Sequence, residues 1–292
     1  MKLPRLPNKI EFNRRRRKLD KAWRKLKFRA QLRSLYPPGF LLTYYYLAAK
    51  RLVPRHAEKV RLHVPRLAAR WILLLNRMGV DVRGAENLRG LEKGPLIFFA
   101  NHNSRMDSYV LLAQLPFVFR SFWSNESHTF KDDLKAVIRF GRAFDLFFFH
   151  DKFDLMNTVT EFRRAKAFLR SGGILGFFPE GHMHSDRSIQ MEPFGVSCMS
   201  LAIETGSTVL PITLANTEFG FERSSERSSR RAVVSFGKPF STVGRRKADA
   251  YELTDQLQKR MLEEYERLRA DALSSAPAVR VGFSHTAERG AP

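Results

Sequence analysis

One cysteine, Cys198, among 292 residues leaves no partner for an internal disulfide and no second thiolate for a cysteine-based metal cluster. Such usage fits a reducing, cytosolic setting. Long apolar runs are missing too. The uncharged stretch 34–49 (SLYPPGFLLTYYYLAA) contains Pro37, Pro38 and Gly39. Only about ten residues after Gly39 are free of breakers, where a bilayer span needs about 20. The run 71–75 is shorter still. The chain is therefore expected to lie on a membrane rather than cross one. No apolar h-region occurs in the first 30 residues, so no secretory signal is expected. Acids are scarce in one place: residues 1–70 carry only Glu11, Asp20 and Glu58, against 21 Lys and Arg, a net +18. The other 222 residues carry 30 basic and 26 acidic groups, a net +4 of the total +22. A nearly neutral body thus wears a cationic N-terminal arm. With 43% apolar residues, 25 Phe among them, a buried core is possible and wholesale disorder is excluded.

Within the arm, the run Arg14-Arg15-Arg16-Arg17-Lys18 opens a segment of helical periodicity. Phe12, Leu19, Ala22, Trp23, Leu26 and Ala30 fall on one stripe, with Lys and Arg around the rest. Aromatic rings opposed by cations suit a helix lying in a membrane interface, where each cation contributes about 1 kcal/mol near anionic lipid. The same charge would serve an arm neutralising nucleic-acid phosphates. A solvated helix packing its stripe on the body is the third reading.

From about residue 80 apolar runs alternate with helical segments. Strands are expected at 96–100 (LIFFA), 117–123, 146–149, 174–178, 209–214 and 231–236. Helices are expected at 108–115, 131–139, from an Asn157 cap to Gly172-Gly173, at 196–205 and over 247–273. Continuous apolar strands alternating with helices predict an α/β fold: a central, mostly parallel sheet covered by helices on both faces, with a basic helical N-terminal extension. Sites in such folds gather at strand ends. Three regions result: 1–70, basic, amphipathic and membrane-associating; 71–273, the α/β domain; and 274–292, a loose tail rich in Ala, Gly, Ser and Pro.

Two polar clusters sit at predicted strand ends. Asn101-His102-Asn103-Ser104-Arg105-Met106-Asp107 follows LIFFA. A general base for an alcohol needs an imidazole held in one tautomer, and a carboxylate on its other nitrogen does that. Five residues apart, His102 and Asp107 would diverge by about 140° on a continuous helix. They meet only if His102 sits on the turn and Asp107 folds back from the first helical turn, with Asn103 or Ser104 as cap. A capping loop with a surface histidine is the plainer alternative. The second cluster, Phe178-Pro179-Glu180-Gly181, ends another apolar run. Pro stops the ladder and Gly permits a tight turn, so Glu180 projects at the strand end, as a site residue or as an ordinary cap or ion-pair partner.

Together, Asn101-His102 with Asp107, Phe178-Pro179-Glu180-Gly181 and Val209-Leu210-Pro211-Ile212 closely resemble the glycerolipid acyltransferase family, the lysophosphatidate acyltransferases. The segment 79–88 (GVDVRGAENL) is similar to that family's lead-in to its catalytic strand, and the resemblance spans roughly 70–220. It implies transfer of a fatty acyl group from a thioester, on coenzyme A or acyl carrier protein, to a glycerolipid hydroxyl. His102 would be the base and Asp107 its orienter, while Glu180 and Gly181 match positions that hold the acceptor. Asn101, Phe178, Pro179 and Pro211 join the implied substrate-binding set. No cofactor or metal is implied. His182, His184 and Asp186 lie close in sequence, but an HxH pair without a further ligand is usually an exposed loop.

The departures from the family pattern bear on the acceptor. Thr-Arg usually follows the Phe-Pro-Glu-Gly motif, whereas His182-Met183 follow it here. Arg187 replaces the missing guanidinium only if the loop curls back. The usual Phe-x-Asp-Arg becomes Phe149-His150-Asp151-Lys152, which keeps the charge and loses bidentate phosphate geometry. A Lys expected before Gly195 is replaced by Pro193 and Phe194. Acyl transfer is better supported than any one acceptor: lysophosphatidate leads, and another lysophospholipid, an amino-acid lipid or a glycolipid are alternatives. The expected partners are an anionic membrane surface on the cytoplasmic side, held by the arm, the acyl thioester and the lysolipid. Nucleic acid, or a binding-only protein of this fold, is the rival reading.

Overall fold

The computed structural model describes residues 46–48, 50–125, 141, 143–151, 154–183, 191–218 and 231–274. The arm helix, the expected 131–139 helix, Lys152, His184, Asp186, Arg187 and the tail beyond 274 lie outside the described residues.

Among the described residues, eight strands form one sheet: β1 (Val80–Arg83), β2 (Leu96–Ala100), β3 (Arg120–Asn125), β4 (Phe147–Asp151), β5 (Ile174–Phe177), β6 (Thr208–Ala215), β7 (Ala232–Phe236) and β8 (Phe240–Ser241). The order is β1-β7-β6-β2-β5-β3-β4, with β8 also on β6. Strands β2 to β6 run parallel to one another, whereas β7 and β8 pair antiparallel to β6 and β1 runs with β7. The mostly parallel sheet expected from the apolar runs is therefore present, with an antiparallel flank.

Among the described residues, the helices that cover it include α1 (Pro54–Leu75), α2 (Asp107–Gln114), α3 (Leu155–Arg170), α4 (Val196–Thr205) and α5 (Ala250–Ser274). The alternation within β2 shows why both faces are buried. Leu96, Phe98 and Ala100 join a core with Ile72 and Leu73 of α1 and Val110 and Leu111 of α2. Ile97 and Phe99 point the other way, into a core with Leu169 of α3, Met199 of α4 and Leu257 and Met261 of α5. Gly176 of β5 is registered with Phe98, and a Cβ there would stand 2.2 Å from the Phe98 ring. The glycine lets the ring lie across the neighbouring strand.

Several boundaries differ from expectation. The strand expected over 117–123 begins at Arg120; Pro116 turns the chain, while Phe117 and Phe119 still fill the core. Asp154, not Asn157, caps α3, its carboxylate accepting the Asn157 N–H at 2.9 Å. The last helix opens with a 3-10 turn, Lys247–Asp249, and runs to Ser274. Edge strand β1 and the two-residue β8 were not expected, since short, partly exposed strands have little apolar signal. Helix α1 runs through residue 70, burying Ala69 and Ile72 while exposing Leu67, Trp71 and Leu74. No described helix is long and apolar enough to cross a membrane.

Candidate active site

Parallel strands place their C-terminal ends along one edge of the sheet, and both polar clusters lie there. The β2–β6 pairing continues past the ladder through Asn101, which is fully buried. Its amide Nδ2 donates to the Leu214 carbonyl at 2.8 Å and its Oδ1 accepts the Leu214 N–H at 2.7 Å. A side chain thus imitates one more strand residue and closes the end of β2 onto β6. Both ends of an amide expected beside the substrate are engaged with backbone.

The chain can then turn. Ser104 Oγ accepts the Met106 N–H at 3.1 Å, and Asp107 Oδ2 accepts the Ser104 N–H at 2.7 Å. This reciprocal pattern, of the capping-box kind, orders the entry to α2 and aims the Asp107 carboxylate backwards. His102 Nδ1 stands 2.9 Å from the same Oδ2. The fold-back that a five-residue spacing demanded is achieved by the Ser104 turn. Asp107 is fully buried, whereas the His102 side chain is 20% exposed. A carboxylate holding the Nδ1–H leaves Nε2 as the basic nitrogen, and Nε2 has no partner among the described residues. Asp107 Oδ1 is buried and likewise unbonded among them.

The β5 end reaches His102 from the other side. Gly181 donates to the Phe178 carbonyl at 3.1 Å, closing a turn with Pro179 second and left-handed Gly181 (φ 74°) fourth. The Phe178 ring stacks on the His102 imidazole, centroids 4.1 Å apart and planes 17° off parallel. Glu180, almost fully buried, accepts the His102 N–H on Oε1 at 2.6 Å and the Glu192 N–H on Oε2 at 2.8 Å. The Pro179 carbonyl accepts the Gly195 N–H at 2.8 Å. His182 follows, with Nε2 3.9 Å from a Glu192 carboxylate oxygen.

Pro211 is not brought to this cluster. It lies within β6 opposite Phe99, three residues before His102. There β6 changes partner from β8, paired through Val209, to β7, paired from Ile212, so the absent N–H breaks no ladder.

Beside the turn, Ser108, Leu111, Leu112, Phe119, Ser121, Leu146, Phe147 and Phe178 line a small apolar cleft that opens to solvent. Phe178 belongs to both this wall and the His102 stack. Sequence reading missed the stack, the cleft, and the roles of Leu214 and Glu192. Each depends on strands far apart in the chain and leaves no local signature. Among the described residues no three His, Cys, Asp or Glu side chains are grouped to hold a metal. Cys198 is buried in α4, and burial pushes its thiol up to about 12, so it is no nucleophile at neutral pH.

An imidazole oriented by a buried carboxylate at the C-terminal edge of an α/β sheet has the geometry that general-base chemistry requires. Residues 79–215 match the family model described as Acyltransferase. The chain is 28% identical over 141 residues to the 1-acyl-sn-glycerol-3-phosphate acyltransferase BAT2, chloroplastic, of Brassica napus. That match spans 47% of this chain and 37% of the length of the Brassica protein. The crystal structure of the 1-acyl-sn-glycerophosphate (LPA) acyltransferase PlsC from Thermotoga maritima shares the fold, with a TM-score of 0.63 over 86% of this chain and 98% of that one, at 20% identity.

Proposed function

We propose that this chain is an O-acyltransferase that moves a fatty acyl group from an acyl thioester to the free hydroxyl of a lysoglycerolipid, with 1-acylglycerol-3-phosphate the leading acceptor. The observation that carries the reading is the 2.9 Å His102–Asp107 contact, with Nε2 as the remaining ring nitrogen. In the reaction, His102 Nε2 takes the proton of the acceptor hydroxyl while Asp107 stabilises the imidazolium. The acceptor oxygen attacks the thioester carbonyl, an ester C–O bond forms and the C–S bond breaks. The proton passes from Nε2 to the departing thiolate, so a hydroxyl and a thioester become an ester and a thiol. No acyl-enzyme and no metal enter the scheme.

The product and acceptor reside in a bilayer, so the reading includes a hold on anionic lipid. The net +18 of residues 1–70 supports it. So does the face of α1, where Leu67, Trp71 and Leu74 are exposed beside exposed Arg70 and Arg77. One observation favours a different acceptor within the same chemistry. Met183 stands where the family carries the arginine suited to phosphate, and the Glu192 carboxylate beside the preceding His182 suits a headgroup with a cationic amine.

Thiol release from palmitoyl-coenzyme A, with and without lysophosphatidate and beside His102→Ala, tests the reaction. Release that needs both acceptor and His102 is expected, with a loss on the order of 10²–10⁴ in the variant. Acceptor-dependent release that survives in His102→Ala would overturn the base assignment.

A further inference from the structure

We infer that Glu180 is a positioning residue for His102 rather than a contact to the acceptor. The inference rests on the proposed acyl transfer and changes how its site works.

A carboxylate that binds substrate needs an oxygen directed at the opening. Both oxygens of Glu180 are taken up by backbone: Oε1 by the His102 N–H at 2.6 Å, Oε2 by the Glu192 N–H at 2.8 Å. The residue is 6% exposed. Charge-assisted bonds of this kind to a buried carboxylate are short and about twice as strong as neutral ones. The group therefore joins two segments that are far apart in the chain. One is the turn after β2 that carries the base, and the other is the segment 191–195 leading into α4.

The second segment is itself anchored. Gln258 of α5 accepts the Phe194 N–H at 3.0 Å and donates to the Glu192 carbonyl at 3.2 Å, while Gly195 is tied to Pro179. A path of hydrogen bonds runs from α5 through 192–195 to Glu180 and ends on the His102 main chain. Three supports then fix the imidazole. Asp107 holds Nδ1, Phe178 covers one ring face, and Glu180 pins the backbone from which the ring hangs. Two of the three come from the one turn after β5. The motif's Pro and Gly give that turn its shape, and the carboxylate and the ring on either side of Pro179 both reach His102. A base must be held within about 0.5 Å of its working geometry, which gives such a frame its catalytic value.

Glu180→Gln tests this. The carboxamide accepts only on oxygen, so one of the two N–H groups faces an NH2 and loses its bond. With palmitoyl-coenzyme A and lysophosphatidate, kcat is expected to fall roughly 10–100-fold with the acceptor KM within twofold, in protein still folded by circular dichroism. A tenfold rise in acceptor KM with kcat retained would overturn the inference in favour of direct acceptor contact. A normal kcat and KM would also overturn it. Gln258→Ala supplies a second variant that leaves the Glu180 carboxylate in place. A smaller fall in kcat, again without change in KM, is expected; unchanged kcat would cut α5 out of the path. A third readout needs no turnover: the downfield proton NMR signal of the His102 Nδ1–H should shift or broaden in Glu180→Gln, and an unaltered signal counts against the inference. His102→Ala in the same assays separates the two readings. If it remains active, the acyl-transfer mechanism fails. If it is dead while Glu180→Gln keeps its kcat, only the positioning role fails.

Discussion

The turns after β2 and β5 lie side by side at one edge of the sheet, both open with apolar strands, and both carry a carboxylate. They use it in opposite ways. Asp107 directs one oxygen at the Nδ1 of His102, and the ring beyond it ends in a nitrogen without a protein partner among the described residues. Glu180 directs both oxygens at main-chain N–H groups. In the proposed reaction one turn supplies the reactive nitrogen, and the other holds it in place. A motif carboxylate at a strand end can do either, and only its hydrogen-bond partners tell which.

That contrast breaks most sharply at Asp107. Asp107→Asn keeps size and shape but offers an amide that no longer selects the Nδ1–H tautomer. A kcat loss on the order of 10²–10⁴ is expected, with little change in KM. Near-normal kinetics would erase the distinction between the two turns.

A neighbouring residue isolates the frame from the chemistry. Asn101→Ala leaves the Leu214 N–H and carbonyl without their buried partner, at about 1–3 kcal/mol for each group. Thermal melting should show a lowered Tm, while the acceptor KM of the folded fraction stays unchanged. A raised KM at constant stability would return Asn101 to the substrate-binding set.

Milder still is Gly181→Ala. A new Cβ there meets nothing within 4 Å, so the change reads backbone strain at φ 74° alone, about 1–2 kcal/mol. A small fall in the urea midpoint with most activity kept is expected from urea titration and initial rates. Cys198 provides the smallest effect. Burial holds its thiol up at about 12, so iodoacetamide at pH 8 should leave native protein unlabelled and modify it fully in urea. Rapid native labelling would show that α4 opens.

Much of this architecture was legible beforehand because its causes are local. LIFFA and the other apolar runs read as strands since parallel strands buried on both faces need apolar residues at every position. The His102–Asp107 pairing was readable as a requirement: a five-residue spacing meets only across a turn, and Ser104 supplies that turn. Edge strand β1, with Asp81 and Arg83 in four residues, was hidden by its exposure. Asn101 and Pro211 were grouped with the substrate by motif. In the fold they lie in the sheet, one tying β2 to β6 and the other seated where β6 changes partners.

The order of residues along the chain determined which strands exist, which strand ends carry polar clusters, and that a basic arm accompanies a nearly neutral body. Those properties follow from spacing, burial preference and charge, all of them local in sequence. What Glu180 does with its two oxygens was decided only by tertiary structure. The N–H groups it accepts belong to His102 and Glu192, 78 residues before it and 12 after it. A side chain's chemistry is set by its partners, and the folded sheet is what brings those partners within 3 Å.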